Sequence, residues 1–511
     1  MRPTFFGLEI GRTGLTVSRK GLDVTGHNIA NVETAGYTRQ RLVTTAYEPH
    51  SSIMQFKAVE RGRVGSGSHV LILDQIRSSF LDRQFRTEQS LLSYWTTRTQ
   101  GLTYVESLFE GSDMSTLSDG LIKLFDGFRA LSTEANDREQ RKVLQQNAIS
   151  LTDSFNQIYN RLSDLQEGQN TAVEAVTRQI NTIAENIAML NKRIYTYELD
   201  GQPANDLRDK RNLLLDQLSA LTDIEYAIDA DNKMTVRMDG GLLVDHITSN
   251  EVFLTTTTDP LTGLACHVPC WDLSDPGNTT IKITGGELKA HMDLRDSDSA
   301  ELQGIPYFME QLNTLARALV QEINAQHKAG WTHAAAIPGG SRTGVPFFFE
   351  PTSGLAGITA GNIQLNPLIA DKDGGEYFIA ASDMETILLP SSSTQLQQGN
   401  NRNALLIYDL LNKSDIVLGA TTIGSFEGFI SSIVLDISLT LNHSKTMTTT
   451  QQSQVLSVDN QRTSISGVDL DEEMTNLIRY QHAYSGASRV ITAMDEALDT
   501  LINRMGLVGR S

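Results

Sequence analysis

Ten histidines could move protons near neutral pH, yet they are scattered along the chain. His327 and His333 are the nearest pair, with Gly330 and Trp331 between them in a predicted loop. Cys266-His267-Val268-Pro269-Cys270 gathers the softest metal ligands. Two thiols and one imidazole fall short of the four ligands of a structural zinc site. The segment therefore reads either as a small disulfide loop closed outside the cell or as two idle thiols. Asp229, Asp231 and Asn232 lack the rest of a calcium loop. Gly62, Gly65 and Gly67 do not form the dinucleotide fingerprint, and the phosphate-loop, zinc-protease and serine-elbow motifs are absent. Carboxylates are abundant, but none is singled out by its surroundings. The chain reads as a non-enzyme, with no catalytic, cofactor-binding or metal residue predicted and no cofactor.

What remains is binding through shape. The 511 residues suggest about three or four domains at roughly 150 residues each. Hydrophobic residues at 40% are enough for packed cores. A formal net charge of −19 argues against a nucleic-acid partner, which needs clustered cations, and against anionic membrane surfaces. Residues 1–70 differ, with nine Lys/Arg against five Asp/Glu, a net of +4 that leaves −23 for the rest. Two cysteines exclude a disulfide-framed secreted protein. No run of about 18 apolar residues offers membrane insertion. Phe5, Phe6, Leu8 and Ile10 are interrupted by Glu9, so a cleaved secretory signal is not expected. The chain is then cytoplasmic, or exported by a route that reads another signal.

The elements that position binding faces show as apolar spacings of alternating four and three. The longest joins Leu144, Ala148, Leu151, Phe155, Ile158, Leu162 and Leu165, and passes Gln169 to Ala172, Val176 and Ile183. It predicts a helix of about fifty residues, roughly 75 Å, with a break near Gly168. The same rhythm recurs at Leu117–Leu131, at Leu302–Ile323 and at Phe426–Leu441. Narrow stripes must cover one another, so these helices predict a long bundle made from both ends of the chain. Residues 223–298 alternate between turns; Tyr226 and Ile228, the turn Asp231-Asn232, then Met234 and Val236 predict a hairpin. Residues 331–396 are rich in Gly, Pro and Ser and carry the short apolar runs Phe347–Phe349 and Tyr377–Ile379. Both stretches read as β-rich inserts.

The chain ends are helical. Asp469 predicts an N-cap with Glu472 at capping-box spacing, and Asp471, Glu472 and Glu473 favour the first turn. Arg504 and Gly506 mark the end of a helix of about 36 residues. Its stripe includes Leu470, Met474, Leu477, Gln481, Tyr484, Ile491, Leu498 and Ile502. At the other end Leu8, Leu15, Leu22 and Ile29 form one line, and Ile10, Val17 and Val24 form another about 200° away. Gly11, Ser18 and Thr25 are small, which permits close helix approach. Such a helix belongs inside a multi-helix assembly. On pattern alone, the helical spacings favour an ordinary intracellular coiled-coil scaffold.

Gly26-His27-Asn28-Ile29-Ala30-Asn31 followed by Thr34-Ala35-Gly36-Tyr37-Thr38-Arg39-Gln40 resembles the N-terminal signature of the flagellar rod, hook and hook-associated family. Its Gly-Tyr-x-Arg-Gln ending is similar to that of the hook–filament junction members. Gly467–Met474 and Tyr480-Gln481-His482-Ala483-Tyr484 resemble the family's C-terminal signature. Asn205–Arg211, Gly285-Gly286-Glu287-Leu288 and Arg295-Asp296 resemble interior segments. From the residues, Asn28, Asn31 and Gly36 tolerate turn conformations and set a sharp exit from the first helix.

The resemblance implies an α+β multidomain subunit. Terminal coiled-coil helices occupy 1–65 and 456–511 and are disordered in the monomer. A long helical bundle uses 66–222, 299–330 and 397–455, and β-rich outer inserts span 223–298 and 331–396. It implies a structural subunit joining hook to filament, exported by the flagellar type III system and extracellular in the bacterial flagellum. Self-association into a ring, hook protein, the second junction protein (hook-associated protein 3), the filament and an export chaperone are the implied partners. Assembly contacts would be Leu8, Leu15, Leu22, Asn28, Ile29, Asn31, Gly36 and Tyr37 with Leu470, Met474, Leu477, Gln481, Tyr484, Ile491, Leu498 and Ile502. The chaperone would hold Leu477, Tyr484, Ile491 and Leu498. The alternatives are a hook or rod axial protein, or a non-flagellar scaffold or adhesin.

Overall fold

The computed structural model of the chain describes residues 6–47, 65, 67–110, 112–229, 233–333, 342–385, 399–418, 422–500 and 502. The chain opens with α1 (Phe6–Ala30), the antiparallel strands β1 (Gln40–Ala46) and β2 (Ser68–Gln75), then α2 (Ser79–Glu110), α3 (Ser112–Thr133), α4 (Arg138–Tyr197) and α5 (Asn205–Leu221). Six strands follow: β3 (Glu225–Ile228), β4 (Met234–Met238), β5 (Gly241–Asp245), β6 (Thr248–Ser249), β7 (Phe253–Thr258) and β8 (Ala265–Cys270). Next come α6 (Pro276–Thr279), α7 (Gly286–Asp296), α8 (Ile305–Ala329), α9 (Pro367–Ala370) and α10 (Arg402–Asp409). The strands β9 (Ile416–Leu418) and β10 (Thr422–Gly424) lead into α11 (Phe426–Ser466) and α12 (Leu470–Asp499).

The mast of the molecule is α4. The Asp137 side chain caps it by accepting the Glu139 N–H at 2.9 Å. Its 60 residues run about 90 Å. No break occurs at Gly168, where an added Cβ would meet open space. A lone exposed glycine lowers helix stability by only about 1 kcal/mol, and the flanking turns are held by packing. One half of the stripe, Leu144 to Leu162, enters a core with α2, α3, α8, α10 and α11. The other half, Val173 to Ile187, enters a second core with α5, β4, β5, Ile281, Ile283 and Leu288. Each such fully buried side chain contributes about 1.5–3 kcal/mol.

Between the two cores the stripe turns polar. Gln166 donates to the Arg295 carbonyl at 3.0 Å, and Asn170 accepts from Arg295 and from the His267 N–H, both at 2.8 Å. Arg295 is fully buried and forks onto Asp296 at 2.6 and 2.7 Å. The Arg295-Asp296 segment thus ties α7, α4 and β8 together where α4 passes from one core to the other.

Several expectations need correction. α2 was not foreseen, although it packs antiparallel along α11, with Thr99 Oγ1 3.0 Å from Thr448 Oγ1. Its first twenty residues bury Asp82, Arg86, Ser90 and Arg98 with Leu81 alone among apolar side chains, so an apolar spacing search misses it. The segment 223–298 does carry β3–β8, with Tyr226 opposite Val236, and Asp239 and Gly240 both at positive φ in the next turn. The Asp231-Asn232 turn lies outside the described residues. The same segment ends in helix α7, against α2 and α4. The described part of 331–396 is not β-rich: it holds isolated bridges, 3-10 turns and α9. It is not an outer lobe either, because Phe347 and Phe348 are fully buried in the main core. Asn324 holds this chain by exchanging hydrogen bonds with the Phe348 backbone at 3.0 and 2.8 Å, a pairing that replaces a strand ladder.

Within 1–65 the described helix is α1 alone, followed by turns and β1. Within 456–511, α11 continues to Ser466 and α12 begins afresh at Leu470. Arg504 and Gly506 lie outside the described residues. Cys266 and Cys270 are free, buried thiols four residues apart on one strand, about 13 Å at 3.3 Å per residue. That distance excludes the small disulfide loop, and burial pushes both thiol pKa values up.

Candidate functional site

The terminal helices lie against each other, antiparallel. Ideal Cβ atoms built on α1 glycines locate the contact: Gly7 meets Met494, Gly11 meets Ile491 and Ala487, Gly14 meets Ala487, and Gly21 meets Tyr480. Ser18 and Thr25 are buried between them. The α1 seam is therefore a stripe of small residues at spacings of four and three, lying between the two apolar lines. Leu8, Leu15, Leu22 and Ile29 flank that seam half-buried. On α12, Leu477, Ile491 and Leu498 are half-buried, while Gln481 and Tyr484 are exposed. Leu470 (47%), Met474 (50%) and Ile502 (67%) stand in solvent, and Ile478 (51%) joins them. The predicted α12 stripe thus divides: one part faces α1 and the other is bare.

Below this pair the signature residues converge on one polar hub. Asn28, 1% exposed, uses all its amide hydrogen-bonding capacity. Its Nδ2 donates to the Gln40 carbonyl at 2.9 Å and to Glu473 Oε2 at 3.1 Å. Its Oδ1 accepts from the Tyr37 hydroxyl at 2.8 Å and the Gln40 N–H at 3.1 Å. Asn31 caps the same helix end, donating from Nδ2 to the His27 carbonyl at 2.9 Å. Burial, and then the carboxylates of Asp206, Asp209 and Glu473, raise the Tyr37 pKa above its usual range, so the phenol stays a donor.

Arg39 reaches α12 with Nη1 on Glu472 at 2.6 Å and with Nη2 and Nε on Glu473 at 2.7 and 2.8 Å. Glu472 therefore serves Arg39, while Asp469 Oδ1 alone accepts the Asp471 and Glu472 N–H groups at 2.8 and 3.2 Å. Glu473 is almost wholly buried, which makes its charge costly unless paired.

The hub is bolted to the domain through α5. The Thr38 N–H donates to Asp209 Oδ2 at 2.9 Å, and Gln75 Nε2 donates to Asp209 Oδ1 at 2.9 Å. Burial pushes the Asp209 carboxyl up against the opposing pull of Thr38 and Arg77. Gln40 Nε2 donates to Asp206 at 2.9 Å. Arg77 forks onto Asp82 at 2.5 and 3.1 Å, and Asp216 takes Arg86 and Arg462 at 2.7 Å each. Gly36, at φ +76°, brings the connector so close to α5 that a Cβ there would sit 3.2 Å from Leu213 Cβ. A polar cavity of about 320 Å³ remains beside it, lined by Val32, Arg77, Asp216 and Arg462 among others.

Among the described residues no His/Cys/Asp/Glu group is arranged to hold a metal, and no helix is long and apolar enough to cross a membrane. The hub is a mechanical joint: charge is matched by charge across three chain segments far apart in sequence. Sequence reasoning placed Asn28, Asn31, Gly36 and Tyr37 here, but omitted Arg39, Asp209 and Glu473 from the contact set. It also missed Gly7, Gly14 and Gly21, which the spacing of Gly11, Ser18 and Thr25 could have exposed.

Residues 102–348 match the model of the flagellar hook-associated protein FlgK helical domain, and residues 460–505 match that of the flagellar basal body rod FlgEFG protein C-terminal segment. Over these two stretches the chain is similar to the flagellar hook-associated and rod families. It is similar to flagellar hook-associated protein 1 of Bacillus subtilis, 26% identical with all of both chains aligned. The Escherichia coli protein of that name is 25% identical over 96% of this chain and 98% of its own. A solved structure, the flagellar hook junction protein FlgK from Burkholderia pseudomallei, shares the fold with a TM-score of 0.58 at 17% identity, covering 75% of this chain and all of the other. Members of the hook-associated family are structural components of the flagellum, and the α+β multidomain reading holds. The hub sits where the rod-type C-terminal segment meets the N-terminal signature.

Proposed function

We propose that the chain is the subunit that joins hook to filament, assembled as a ring of copies through its paired terminal helices. The observation that carries this reading is the bare apolar surface of the pair. Leu470, Met474 and Ile478 are about half exposed on α12, and Glu473 is the one buried residue of that helix among those described. A 30-residue helix with so little cover gains little from its own chain, and neighbouring copies would supply the missing contacts. Leu8, Leu15, Leu22 and Ile29 edge the same surface. Hook protein would meet one end of the ring, and hook-associated protein 3 followed by the filament the other.

In this reading the terminal pair is marginal in the free chain and consolidates on assembly, which suits export through the flagellar type III system. Before export a chaperone would cover α12 at Leu477, Tyr484, Ile491 and Leu498. The full overlap with hook-associated protein 1 relatives favours this position over a hook or rod subunit.

Replacing Leu15→Asp or Leu477→Asp should abolish swimming and leave hooks without filaments. The purified variants should keep the unfolding midpoint of the helical cores. Normal filaments on a Leu15→Asp strain would refute the assignment.

A further inference from the structure

We propose that Asn28 sets the register in which α1 lies along α12. The apolar seam cannot do this alone. The α1 side offers Gly7, Gly11, Gly14, Ser18, Gly21 and Thr25, nearly featureless at heptad spacing, so the knobs come from α12. Tyr480 sits on Gly21, but after a slip of one heptad it would sit on Gly14 instead. Ala487 would move from Gly14 to Gly7 or to Gly21 in the same way. Each shift exchanges a glycine for a glycine.

The tether does not decide it either. Nine residues separate Ala30 from Gln40, folded into turns. Extended, they reach about 30 Å, whereas a one-heptad slip is about 10 Å. α12 is held more firmly, through the short joint after Ser466 and through Arg39. The free choice therefore lies with α1.

Along the seam with α12, Asn28 is the side chain whose hydrogen bonds distinguish the registers, beside the contacts that α1 makes with β1 and β2. In the observed one its four hydrogen bonds close on Gln40, Tyr37 and Glu473. Slipped one way, Asn28 would face Tyr480 and leave its amide unmatched. Slipped the other way, Glu473 would lie against Gly21 and lose Asn28. A buried polar residue that can be satisfied in a single alignment specifies register even when apolar contacts are indifferent. The inference rests on the pair within one chain, and not on the place of that chain in the flagellum.

Disulfide trapping in the full chain tests it, because oxidation captures the paired state even when pairing is transient. The Cβ built on Gly14 lies 3.6 Å from Ala487 Cβ, within disulfide range. Gly14→Cys with Ala487→Cys reports the observed register, and Gly14→Cys with Tyr480→Cys or with Met494→Cys reports the two slips. Intrachain closure is read by mass mapping. With Asn28 present, the Ala487→Cys pair should close at least about tenfold faster than either slip pair. Asn28→Ala should bring the slip pairs to within about threefold of it. If Asn28→Ala abolishes closure in every pair, Glu473→Leu, which leaves α1 unchanged, should show the same loss of preference. A preserved tenfold preference in these variants, equal closure of all pairs in the parent, or closure only between chains would overturn the proposal.

Discussion

Gly36→Ala tests whether the connector is docked as a rigid part of the joint. The φ of +76° costs an L-residue about 1–2 kcal/mol. The new Cβ would also press on Leu213 at 3.2 Å, adding a few tenths of a kcal/mol as the leucine gives way. Together the docked state should lose about 2 kcal/mol, which raises local opening about thirtyfold. The reporters are the backbone amides bound in that state: Thr38 N–H on Asp209 and Arg39 N–H on the Ser466 carbonyl, both at 2.9 Å. Hydrogen exchange by mass spectrometry should show the peptide spanning 36–41 exchanging about thirtyfold faster, with α4 peptides unchanged. Adding Leu213→Ala removes the Cδ contacts but keeps the Cβ at 3.2 Å, so it should recover little of the effect, because the dihedral cost also remains. A change below about threefold, equal acceleration in α4, or an unprotected Thr38 amide in the parent would refute the reasoning.

Two further outcomes follow from the cores. His327 is fully buried; its Nδ1–H donates to the Val345 carbonyl at 2.7 Å and its Nε2 accepts the Ala380 N–H at 2.9 Å. Burial first, opposed by the Val345 bond and aided by Arg141, lowers its pKa to about 4 from 6.5. The neutral form is the folded one, so its contribution is intact above pH 6.5 and is lost as pH falls towards 4. The loss at pH 5 should be about 2 kcal/mol relative to pH 7.5. Urea midpoints at the two pH values should differ less in His327→Gln, and an unchanged difference would contradict this. Phe155, fully buried where α4 meets the main core, should cost about 3–5 kcal/mol as Phe155→Ala. The main-core urea transition should fall accordingly while the second core's transition holds.

The long helix, the capped start of α12 and the β3–β4 hairpin were legible in the sequence, because each depends on neighbours a few residues away. Leu144 to Leu162 repeat at helical spacing whatever they pack against, and Asp469 caps whichever helix follows it. The turn at Gly36 was legible for the same reason, whereas Asn28 lies inside α1 and holds the connector through its side chain. α2 was not legible, because apolar Leu102, Val105 and Phe109 are buried only towards its end, and before them the buried face is largely Asp82, Arg86, Ser90 and Arg98, whose burial is sensible only beside Arg77, Asp216 and the chain near Gln303. The Phe347-Phe348 run illustrates the same limit. Its composition suits a strand, but the hole it fills is formed by helices remote in sequence.

The sequence by itself determined the helices with an apolar stripe and that both chain ends carry faces needing cover. Tertiary structure decided which face meets which. Apolar lines at Leu8 and Leu15 suggested the seam, yet α12 settled on the glycines between the lines, because close backbone approach buries more contact than side chains held apart. Tertiary structure also assembled Asn28, Arg39, Asp209 and Glu473 from three distant segments into one hub. A buried charge is stable only beside its partner, and no local pattern records which partner, hundreds of residues away, the fold will bring.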